Sequence, residues 1–236
     1  MKENYLGVDV CSLTYDEITS SLFHKIENSQ KSFIVAINPE KIMKAQTDEN
    51  LRGLLNKADY QIPDGIGVIL ASKIRGGNIR ERVTGIDMMI TLCREAEKRG
   101  KSIFLYGAKP GIADQAKIQL EKQFPKLHIA GTMHGYEKDE EVVKKTINEA
   151  NPDIIFVALG SPTQEYWIIR HMDKLAPKVY QGVGGSFDVI SGNLKRAPLF
   201  FQRLGLEWFY RLIKEPSRWR RQLILPKFLI KALKEK

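Results

Sequence analysis

An aspartate follows directly after a short apolar segment, in the sequence Pro63-Asp64-Gly65-Ile66-Gly67. Pro63 fixes its own φ angle and disfavours helix at the residue before it, so we expect a strand to end here and to present Asp64 at a sharp corner. The two glycines lack a Cβ and let a ligand approach the main chain. A carboxylate at the carboxyl end of a strand is well placed to act as a general base. The simpler interpretation of these residues alone is a Pro-Asp-Gly turn in which Asp64 caps the next helix.

Glycine-rich corners follow three further apolar segments, and they contain Gly107, Gly160 and Gly185. Backbone amides at such corners and at helix starts suit phosphate oxygens. None of the corners has the spacing GxGxxG or that of a P-loop, which disfavours a dinucleotide dehydrogenase or an NTPase. Arg82, just before a predicted helix start, is a candidate for binding an anion, although a solvated surface arginine is the ordinary case.

Asn38 stands between a buried-strand pattern at residues 32–37 and Pro39. A proline at the first position of a helix would make Asn38 the N-cap of that helix. The same residue, just beyond the end of the strand, would also face a ligand bound there. The two roles are compatible, and the sequence leaves both open.

The sequence gives no indication of a metal or another cofactor. It has no Asp-x-Asp pair of the kind that holds a metal on a nucleotide diphosphate, and its four histidines are scattered. Cys11 and Cys93 lie far apart without metal-ligand spacing, so we expect two buried thiols in a reducing cytoplasm.

Apolar segments alternate with helical patterns along most of the chain. Strands are predicted at residues 5–10, 32–37, 103–106, 128–131, 154–159 and 179–183 and before Asp64, and the capping-box spacing of Thr14 and Glu17 predicts a helix to about Asn28. This alternation is typical of an α/β protein, a Rossmann-like parallel sheet with helices on both faces. In such a sheet the candidate residues would meet at the carboxyl edge.

The net charge of the protein is concentrated at its C-terminal end. Residues 195–236 contain twelve Lys or Arg and three acidic residues, so this segment carries the whole net charge of +9. We therefore predict a catalytic domain at residues 1–194 and a basic, aromatic, helical appendage at residues 195–236.

The appendage combines Trp208, Trp219, leucines and phenylalanines with basic residues, in short amphipathic stretches separated by prolines. This composition is typical of a segment that lies in the interface of an anionic membrane. Two alternatives remain: the segment packs on the core with solvated arginines, or it binds nucleic acid. Nucleic acid is the weaker alternative, because aliphatic residues predominate and no RNA-binding motif is present.

The N-terminus does not have the pattern of a signal peptide, and no window approaches the roughly 20 apolar residues of a membrane-spanning helix. We therefore expect a cytoplasmic protein that lies peripherally on the inner face of the cell membrane.

Taken together, nine motifs in this chain resemble the WecG/TagA/CpsF glycosyltransferases, and they cover nearly its whole length in the family's order. They are Asn38-Pro39-Glu40, Pro63-Asp64-Gly65-Ile66-Gly67, Arg82-Val83-Thr84-Gly85, Phe104-Leu105-Tyr106-Gly107-Ala108, Asn151-Pro152-Asp153, Leu159-Gly160-Ser161-Pro162-Thr163-Gln164-Glu165, Gly184-Gly185-Ser186-Phe187-Asp188, Lys195-Arg196-Ala197-Pro198 and Leu206-Glu207-Trp208-Phe209-Tyr210-Arg211.

The resemblance implies an inverting transferase that needs no metal. Such an enzyme moves N-acetylmannosamine from a UDP-sugar donor, UDP-ManNAc, to a polyprenyl-diphosphate-linked N-acetylglucosamine, as in the linkage unit of wall teichoic acid or a related surface glycan. The partners implied are this donor, this acceptor and an anionic membrane surface, without nucleic acid. The sequence leaves open whether the protein forms a homo-oligomer.

The resemblance also assigns roles to individual residues. Asp64 matches the general base and Arg82 the arginine that steadies the donor diphosphate. Asn38 and Gln164 match polar residues around the donor sugar. The remaining matches are the uridine contacts Tyr136 and Asp188, and the arginines of the appendage that reach towards the lipid diphosphate, Arg211, Arg218 and Arg221.

One residue departs from the family pattern. Many relatives have a threonine two residues before the Asn-Pro pair, where this chain has Ala36. The resemblance therefore leaves the donor sugar open, and the alternatives are a relative that uses UDP-ManNAcA or a UDP-hexose for another surface polysaccharide. An alternative of a different class is a non-catalytic module that binds anionic lipid or nucleic acid.

Overall fold

The structure is a computed structural model that describes residues 2–214, 219 and 223–234. Its strands are β1 (Lys2–Tyr5), β2 (Val8–Cys11), β3 (Ser32–Ile37), β4 (Tyr60–Pro63), β5 (Ser102–Gly107), β6 (His128–Met133), β7 (Ile154–Ala158) and β8 (Val179–Gly182). Its helices are α1 (Tyr15–Glu27), α2 (Pro39–Ala45), α3 (Glu49–Lys57), α4 (Ile66–Ile74), α5 (Gly85–Arg99), α6 (Ile112–Gln123), α7 (Glu140–Ala150), α8 (Thr163–His171), α9 (Ser186–Ile190), α10 (Leu199–Arg203), α11 (Glu207–Lys214) and α12 (Ile224–Lys234), with a 3₁₀ turn at Met172–Lys174.

Within the described residues, six strands form one parallel sheet in the order β4-β3-β8-β7-β5-β6. β3, β5 and β7 are apolar along nearly their whole length and buried, as expected for strands that are covered by helices on both faces. The two faces carry two separate apolar clusters, one containing α1 and α5 residues and the other α2, α3 and α8 residues. The predicted α/β fold with helices on both faces is confirmed.

Side-chain caps define several helix starts at the positions that the sequence indicates. Thr14 and Glu17 form the capping box of α1, and Thr84 accepts the Asp87 amide at the start of α5. Asn38 Oδ1 accepts the Lys41 amide at 2.9 Å, so the predicted N-cap of α2 is confirmed. These caps fix where α2 and α5 begin, next to the ends of β3 and β4.

The prediction of a single strand at residues 5–10 is wrong. β1 and β2 instead form an antiparallel hairpin in which Tyr5 pairs with Val8. Leu6 and Gly7 both have positive φ angles, 53° and 78°, and make the tight turn between the strands. The alternation of apolar residues continues on both sides of this turn, and for that reason the pattern resembled one strand.

The C-terminal segment is attached to the core at several points. α12 packs against α2 and α4, and its Phe228 and Ala232 are fully buried in the second apolar cluster. The tilted ring of Phe228 lies 6.2 Å from that of Tyr5 in the N-terminal hairpin. The described residues of the segment therefore contribute to the core, while the division at residue 194 stays a prediction. None of the helices described in this structure is long and apolar enough to cross a membrane.

Both cysteines are buried and free. Burial raises the pKa of both Cys93 and Cys11. The two thiols are thus protonated, apolar parts of the core, and the expectation of buried thiols is confirmed.

Candidate active site

A cavity of about 780 Å³ opens at the carboxyl edge of the sheet. The chain segments that follow β3, β4, β7 and β8 form its floor, and residues from the C-terminal segment, including Arg196, Glu207 and Tyr210, form an outer wall. β3 and β8 are neighbours in the sheet although they lie far apart in the sequence. Open α/β sheets bind their ligands in crevices outside the carboxyl ends of the strands.

Asp64 lies at the wall of this cavity, immediately after β4. Its amide donates to the carbonyl of Ile37 at 2.9 Å, and the Gly65 amide points to the same carbonyl at 3.4 Å, so the corner extends the β3–β4 ladder. A Cβ on Gly65 would overlap the ring of Pro39, and this close approach explains the glycine. The Asp64 side chain is 28% exposed and remains accessible from the cavity.

Arg82 lies beside Asp64, and hydrogen bonds of the main chain at residues 82–84 hold it there. The amide of Val83 donates to the carbonyl of Pro63 at 3.0 Å, which places the Arg82 segment next to the end of β4. The Tyr15 hydroxyl donates to the Arg82 carbonyl at 3.4 Å and accepts the Thr84 amide at 2.7 Å. Burial raises the pKa of Tyr15 to about 12, so this phenol stays protonated and can make both bonds.

The Arg82 guanidinium joins the core to the C-terminal segment. Its Nε donates to the backbone carbonyl of Asp64 at 2.6 Å, and its Nη2 lies 3.9 Å from Asp64 Oδ1. The same Nη2 donates to Oε2 of Glu207 at 2.6 Å. Arg82 thus contacts the candidate base and a carboxylate of α11 at once.

Glu207 and Asp87 share a second arginine. Arg196 Nε donates to Glu207 at 3.1 Å, and the two terminal nitrogens of Arg196 donate to the two oxygens of Asp87 at 2.6 and 2.7 Å. This bidentate geometry is the strong form of an arginine–carboxylate contact. The network therefore runs from Asp64 through Arg82, Glu207 and Arg196 to Asp87.

Burial and charge act in opposite directions on these groups. Burial by itself would raise the pKa of Glu207, but hydrogen bonds and attraction from Arg82 and Arg196 lower it overall. Burial likewise opposes the ionised form of Asp87, whose pKa is nevertheless lowered by hydrogen bonds from Arg196 and Thr84. Although burial disfavours its charge, Arg196 has a raised pKa because Asp87 and Glu207 surround it. All three groups are charged at neutral pH.

Asn38 lies next to the Asp64 corner, where a Cβ on Gly65 would come within 3.0 Å of the Asn38 Cβ, and Gln164 lies in α8, against the turn that follows β8. Gln164 is 2% exposed, and its side chain lies against Gly182 so closely that a Cβ there would come within 2.6 Å of Nε2. The Gln164 carbonyl oxygen accepts the Gly184 amide at 3.0 Å. The structure thus brings together Asn38, Asp64, Arg82, Gln164 and Gly185 around one cavity.

Other predicted site residues lie farther along the same edge. Gly107 has a φ of 124° and packs against the loop after β6, whose Tyr136 is 62% exposed. Asp188 is in α9, which packs against α6, and Gly160 has a φ of 78° in the corner after β7. Among these four, none lines the 780 Å³ cavity. Their contacts with uridine or phosphate stay predictions.

The appendage arginines can be placed only in part. Arg211 belongs to helix α11, whose backbone is described. Arg218 and Arg221 lie outside the described residues. Their contacts with a lipid diphosphate remain predictions from the resemblance.

Sequence reasoning assigned no role to Glu207, Arg196, Asp87, Lys41 or Glu165, which the structure places in or beside the cavity wall. Glu207 and Arg196 both belong to motifs of the C-terminal segment, so their motif membership was the available signal. Glu165 likewise ends one of the quoted motifs, whereas Lys41 gave no signal, because a lysine is not expected to be buried.

Ala36 is 8% exposed and also lines the cavity. It faces the start of α5, where a Cβ on Gly85 would lie 3.5 Å from its own. The neighbouring Thr84 contributes a hydroxyl to the same wall, but this hydroxyl donates to Asp87 at 2.6 Å. Among residues 2–214, 219 and 223–234, no three His, Cys, Asp or Glu side chains are grouped so that they could hold a metal ion.

The fold and this site define an α/β enzyme in which a carboxylate and arginines meet at a sheet edge. The chain matches the model of the glycosyl transferase WecG/TagA/CpsF family over residues 3–236, and it belongs to this family. It is therefore a glycosyltransferase, and the alternative of a non-catalytic binding module is set aside.

Several relatives carry one name, N-acetylglucosaminyldiphosphoundecaprenol N-acetyl-beta-D-mannosaminyltransferase. The protein of Bacillus subtilis (strain 168) is 42% identical over 212 residues, 90% of this chain and 83% of its own length. The protein of Bacillus spizizenii is 40% identical over 222 residues, which are 92% of this chain and 86% of its own length. The protein of Staphylococcus aureus (strain MRSA252) is 35% identical over 238 residues, which are 100% of this chain and 93% of its own length.

Proposed function

We propose that this enzyme transfers N-acetylmannosamine from UDP-ManNAc to undecaprenyl-diphosphate-linked N-acetylglucosamine, with inversion at the anomeric carbon and without a metal. The proposal rests first on the names of relatives that are 35–42% identical over 90% or more of this chain. The observation that carries the chemistry is the position of Asp64, at the wall of a cavity large enough for a nucleotide sugar and beside Arg82.

Asp64 is the proposed general base. It would remove the proton from the acceptor hydroxyl as the hydroxyl oxygen attacks the anomeric carbon, and the bond from that carbon to the donor diphosphate would break on the opposite face. A single displacement of this kind inverts the configuration and needs one carboxylate. The 28% exposure of Asp64 and its place at the cavity wall are compatible with this role.

The departing UDP carries a developing negative charge that must be stabilised. Arg82 and Arg196 line the cavity, as does the glycine turn at Gly184 and Gly185; because the Gly184 amide is bonded to Gln164, this turn would contribute the Gly185 amide. Arginine forks and backbone amides can bind diphosphate oxygens where other transferases use a metal ion. In the described structure Arg82 is also bonded to Glu207, so binding of the diphosphate would have to share or replace that contact.

The charge beside Gln164 favours a neutral donor sugar over a uronate, since the other lysines that line the cavity, Lys195 and Lys214, belong to the C-terminal wall. Lys41, near Gln164, is paired with the buried Glu165 at 2.6 Å. Its charge is thus already balanced, whereas a uronate carboxylate requires a cation of its own. This supports UDP-ManNAc over UDP-ManNAcA as the donor, and a UDP-hexose remains the neutral alternative.

A membrane-facing surface is consistent with the lipid-linked acceptor in the relatives' name. Helix α10 exposes Leu199 and Phe200, each 67% accessible, and Leu204 follows at 51%. Arg203 lies on the same short helix. Exposed apolar side chains next to basic ones suit an anionic bilayer surface. We propose that this side of the C-terminal segment rests on the inner face of the cell membrane.

The test is release of UDP from UDP-ManNAc in EDTA, with and without a polyprenyl-diphosphate N-acetylglucosamine acceptor. The wild type should release UDP only with acceptor, and Asp64→Asn should lower the rate by about 10²–10⁴-fold, the usual contribution of a general base. Release that requires a divalent metal would overturn metal independence. Equal rates for wild type and Asp64→Asn would overturn the assignment of the base.

Donor identity is tested in the same assay with UDP-ManNAcA and UDP-hexoses in place of UDP-ManNAc. Turnover of one of these, together with silence on UDP-ManNAc, would show that the enzyme belongs to another branch of its family. The stereochemistry of the product, read from the anomeric coupling constant in its NMR spectrum, tests inversion independently of rate.

A further inference from the structure

Lys41 and Glu165 form a buried ion pair beneath the cavity. Lys41 Nζ donates to Glu165 Oε1 at 2.6 Å, and the two side chains are 11% and 0% exposed. Lys41 belongs to α2 and Glu165 to α8, so the pair joins helices that follow β3 and β7. Fully buried carboxylates are uncommon, and one that is retained calls for a specific role.

Glu165 also fixes the neighbouring side chain. Its Oε1 accepts a hydrogen bond from Gln164 Nε2 at 3.1 Å, while Gln164 Oε1 accepts the Gly184 amide at 3.0 Å. A carboxylate can only accept here and an amide N–H can only donate, so the two contacts together determine which end of the Gln164 amide points which way. Gly182 closes the third side, because its Cα lies directly against the Gln164 side chain.

Lys41 is connected to Asn38 as well. Its backbone amide donates to Asn38 Oδ1 at 2.9 Å, and its ammonium reaches Gln164 through Glu165. The backbone of residue 41 thus orients the Asn38 amide, and its side chain acts on the Gln164 amide through Glu165. With its carbonyl oxygen engaged, Asn38 presents its NH₂ group to other partners, and Gln164 retains one N–H for the same purpose.

We propose that Glu165, held in place by Lys41, is the positioning residue for Gln164 and thereby sets affinity for the sugar part of the donor. Glu165 acts through Gln164 and does not itself contact substrate. The inference rests on the proposed function in one respect, that Gln164 binds the donor sugar. An amide aligned before binding loses little freedom when the ligand arrives, which is the physical benefit of such positioning.

The experiment compares two double variants that both remove the buried charges. Lys41→Met/Glu165→Gln retains a side-chain oxygen that can accept from Gln164, whereas Lys41→Met/Glu165→Leu has a similar volume and no acceptor. Removing both charges together avoids the uncompensated buried ion that either single change would leave. Asp153→Asn is the stability control, since Asp153 binds Ser102 at the opposite edge of the sheet.

The readouts are Kd for UDP-ManNAc and for UDP by calorimetry, and KM and kcat. The Lys41→Met/Glu165→Leu variant, which lacks the acceptor, should bind UDP-ManNAc about tenfold more weakly, the effect of losing one charge-assisted hydrogen bond, with affinity for UDP unchanged. The variant that retains an acceptor should stay within about threefold of the wild type by the same reasoning. Asp153→Asn should lower Tm and leave both Kd values unchanged.

A second set of variants tests whether Glu165 acts through Gln164. In a Gln164→Met background, adding Lys41→Met/Glu165→Leu should leave the affinity for UDP-ManNAc where Gln164→Met alone puts it. Additive losses would overturn the proposal, as would wild-type affinity in the Lys41→Met/Glu165→Leu protein. Equal losses for UDP and UDP-ManNAc would indicate a structural role alone and would also overturn it.

A readout that needs no substrate separates this proposal from the proposed function. In ¹⁵N-labelled protein, the Gln164 side-chain NH₂ signal, assigned by its absence in Gln164→Met, should be protected from exchange with water. The protection should persist in Lys41→Met/Glu165→Gln and disappear in Lys41→Met/Glu165→Leu. If the wild type fails to bind UDP-ManNAc, the proposed function fails while this signal still decides the positioning role. Unprotected Gln164 in the wild type would overturn it.

Discussion

Arg82 Nη2 donates to Oε2 of Glu207 at 2.6 Å, across 125 positions of sequence. The contact places a residue of the C-terminal segment against the arginine next to the candidate base. Because Arg196 donates to the other oxygen of Glu207, one carboxylate ties two arginines of the cavity wall together. The geometry of the site therefore depends on how the C-terminal segment is docked.

Glu207→Gln is expected to loosen this docking. The substitution keeps the shape of the side chain but removes the charge that balances Arg82 and Arg196, and it should lower the free energy of unfolding by about 1–3 kcal/mol. Urea unfolding measures the loss, and limited trypsin digestion should cut the C-terminal segment sooner. Glu95→Gln is the matched control, because Glu95 pairs with Arg99 at the surface and should cost less than about 1 kcal/mol. Equal losses in the two variants would contradict a special role for Glu207.

The same network predicts how stability depends on pH. The folded-state pKa of Glu207 is below its ordinary 4.5, and that of Asp87 is below 3.8. Groups with lowered pKa values stabilise the folded state fully above their unfolded pKa, and this contribution is lost as pH falls through the folded pKa. The difference in Tm between wild type and Glu207→Gln should thus be constant from pH 7 to about 5 and shrink below about 4. A difference that grows on acidification would refute the assignment.

Gly67→Ala is expected to disturb the docking of α12. A Cβ at this position would lie 2.7 Å from Pro39 Cγ and would overlap a methyl group of Leu225. The proline ring cannot move aside easily, so overpacking should lower the free energy of unfolding of the variant by about 1–3 kcal/mol. Gly53→Ala is the matched control, since it lies in helix α3 with nothing within 4 Å and should gain about 0.5–1 kcal/mol. Chemical denaturation measures the free energy of unfolding of both variants, which should fall in Gly67→Ala and rise in Gly53→Ala.

Leu199→Ser/Phe200→Ser is expected to weaken binding to anionic liposomes. Both side chains are 67% exposed, so Tm should change little, whereas each apolar group lost from a membrane interface weakens binding by about tenfold or less. Co-sedimentation with vesicles of phosphatidylglycerol measures the effect. Ile118→Ser, on the exposed side of α6, serves as the control, being 49% exposed and outside the C-terminal segment. If the control and the double variant sediment alike, α10 is not the membrane contact.

Deletion of residues 195–236 is a coarser test of the same idea. The truncated protein should be released from anionic liposomes and transfer less sugar to a lipid-linked acceptor. The deletion would also remove Phe228 and Ala232 from the core, so its effect on folding must be measured by Tm alongside binding. The point variants at Leu199 and Phe200 avoid this difficulty.

Local sequence determined most of the secondary structure and part of the site. Buried strands, proline positions and capping residues act over a few residues, so the starts of α1, α2 and α5 and the corner at Asp64 followed from short-range rules. Because parallel strands share a carboxyl edge, the sequence also predicted that Asn38, Asp64 and Gln164 would lie close together. The same short-range rules wrongly predicted one strand across Leu6 and Gly7, because the alternation of apolar residues continues through these two residues with positive φ angles.

The tertiary structure alone decided which charges meet. Strand order put β8 between β3 and β7, and this order sets Gln164 against Gly182 and Gly184. The pairs Lys41–Glu165 and Arg82–Glu207 join residues 124 and 125 positions apart. No local pattern specifies such partners, because a side chain's charge says nothing about which opposite charge the folded chain will bury beside it. The sequence by itself thus determined the candidate base and the edge on which it lies, and only the packing of helices on the sheet determined what surrounds it.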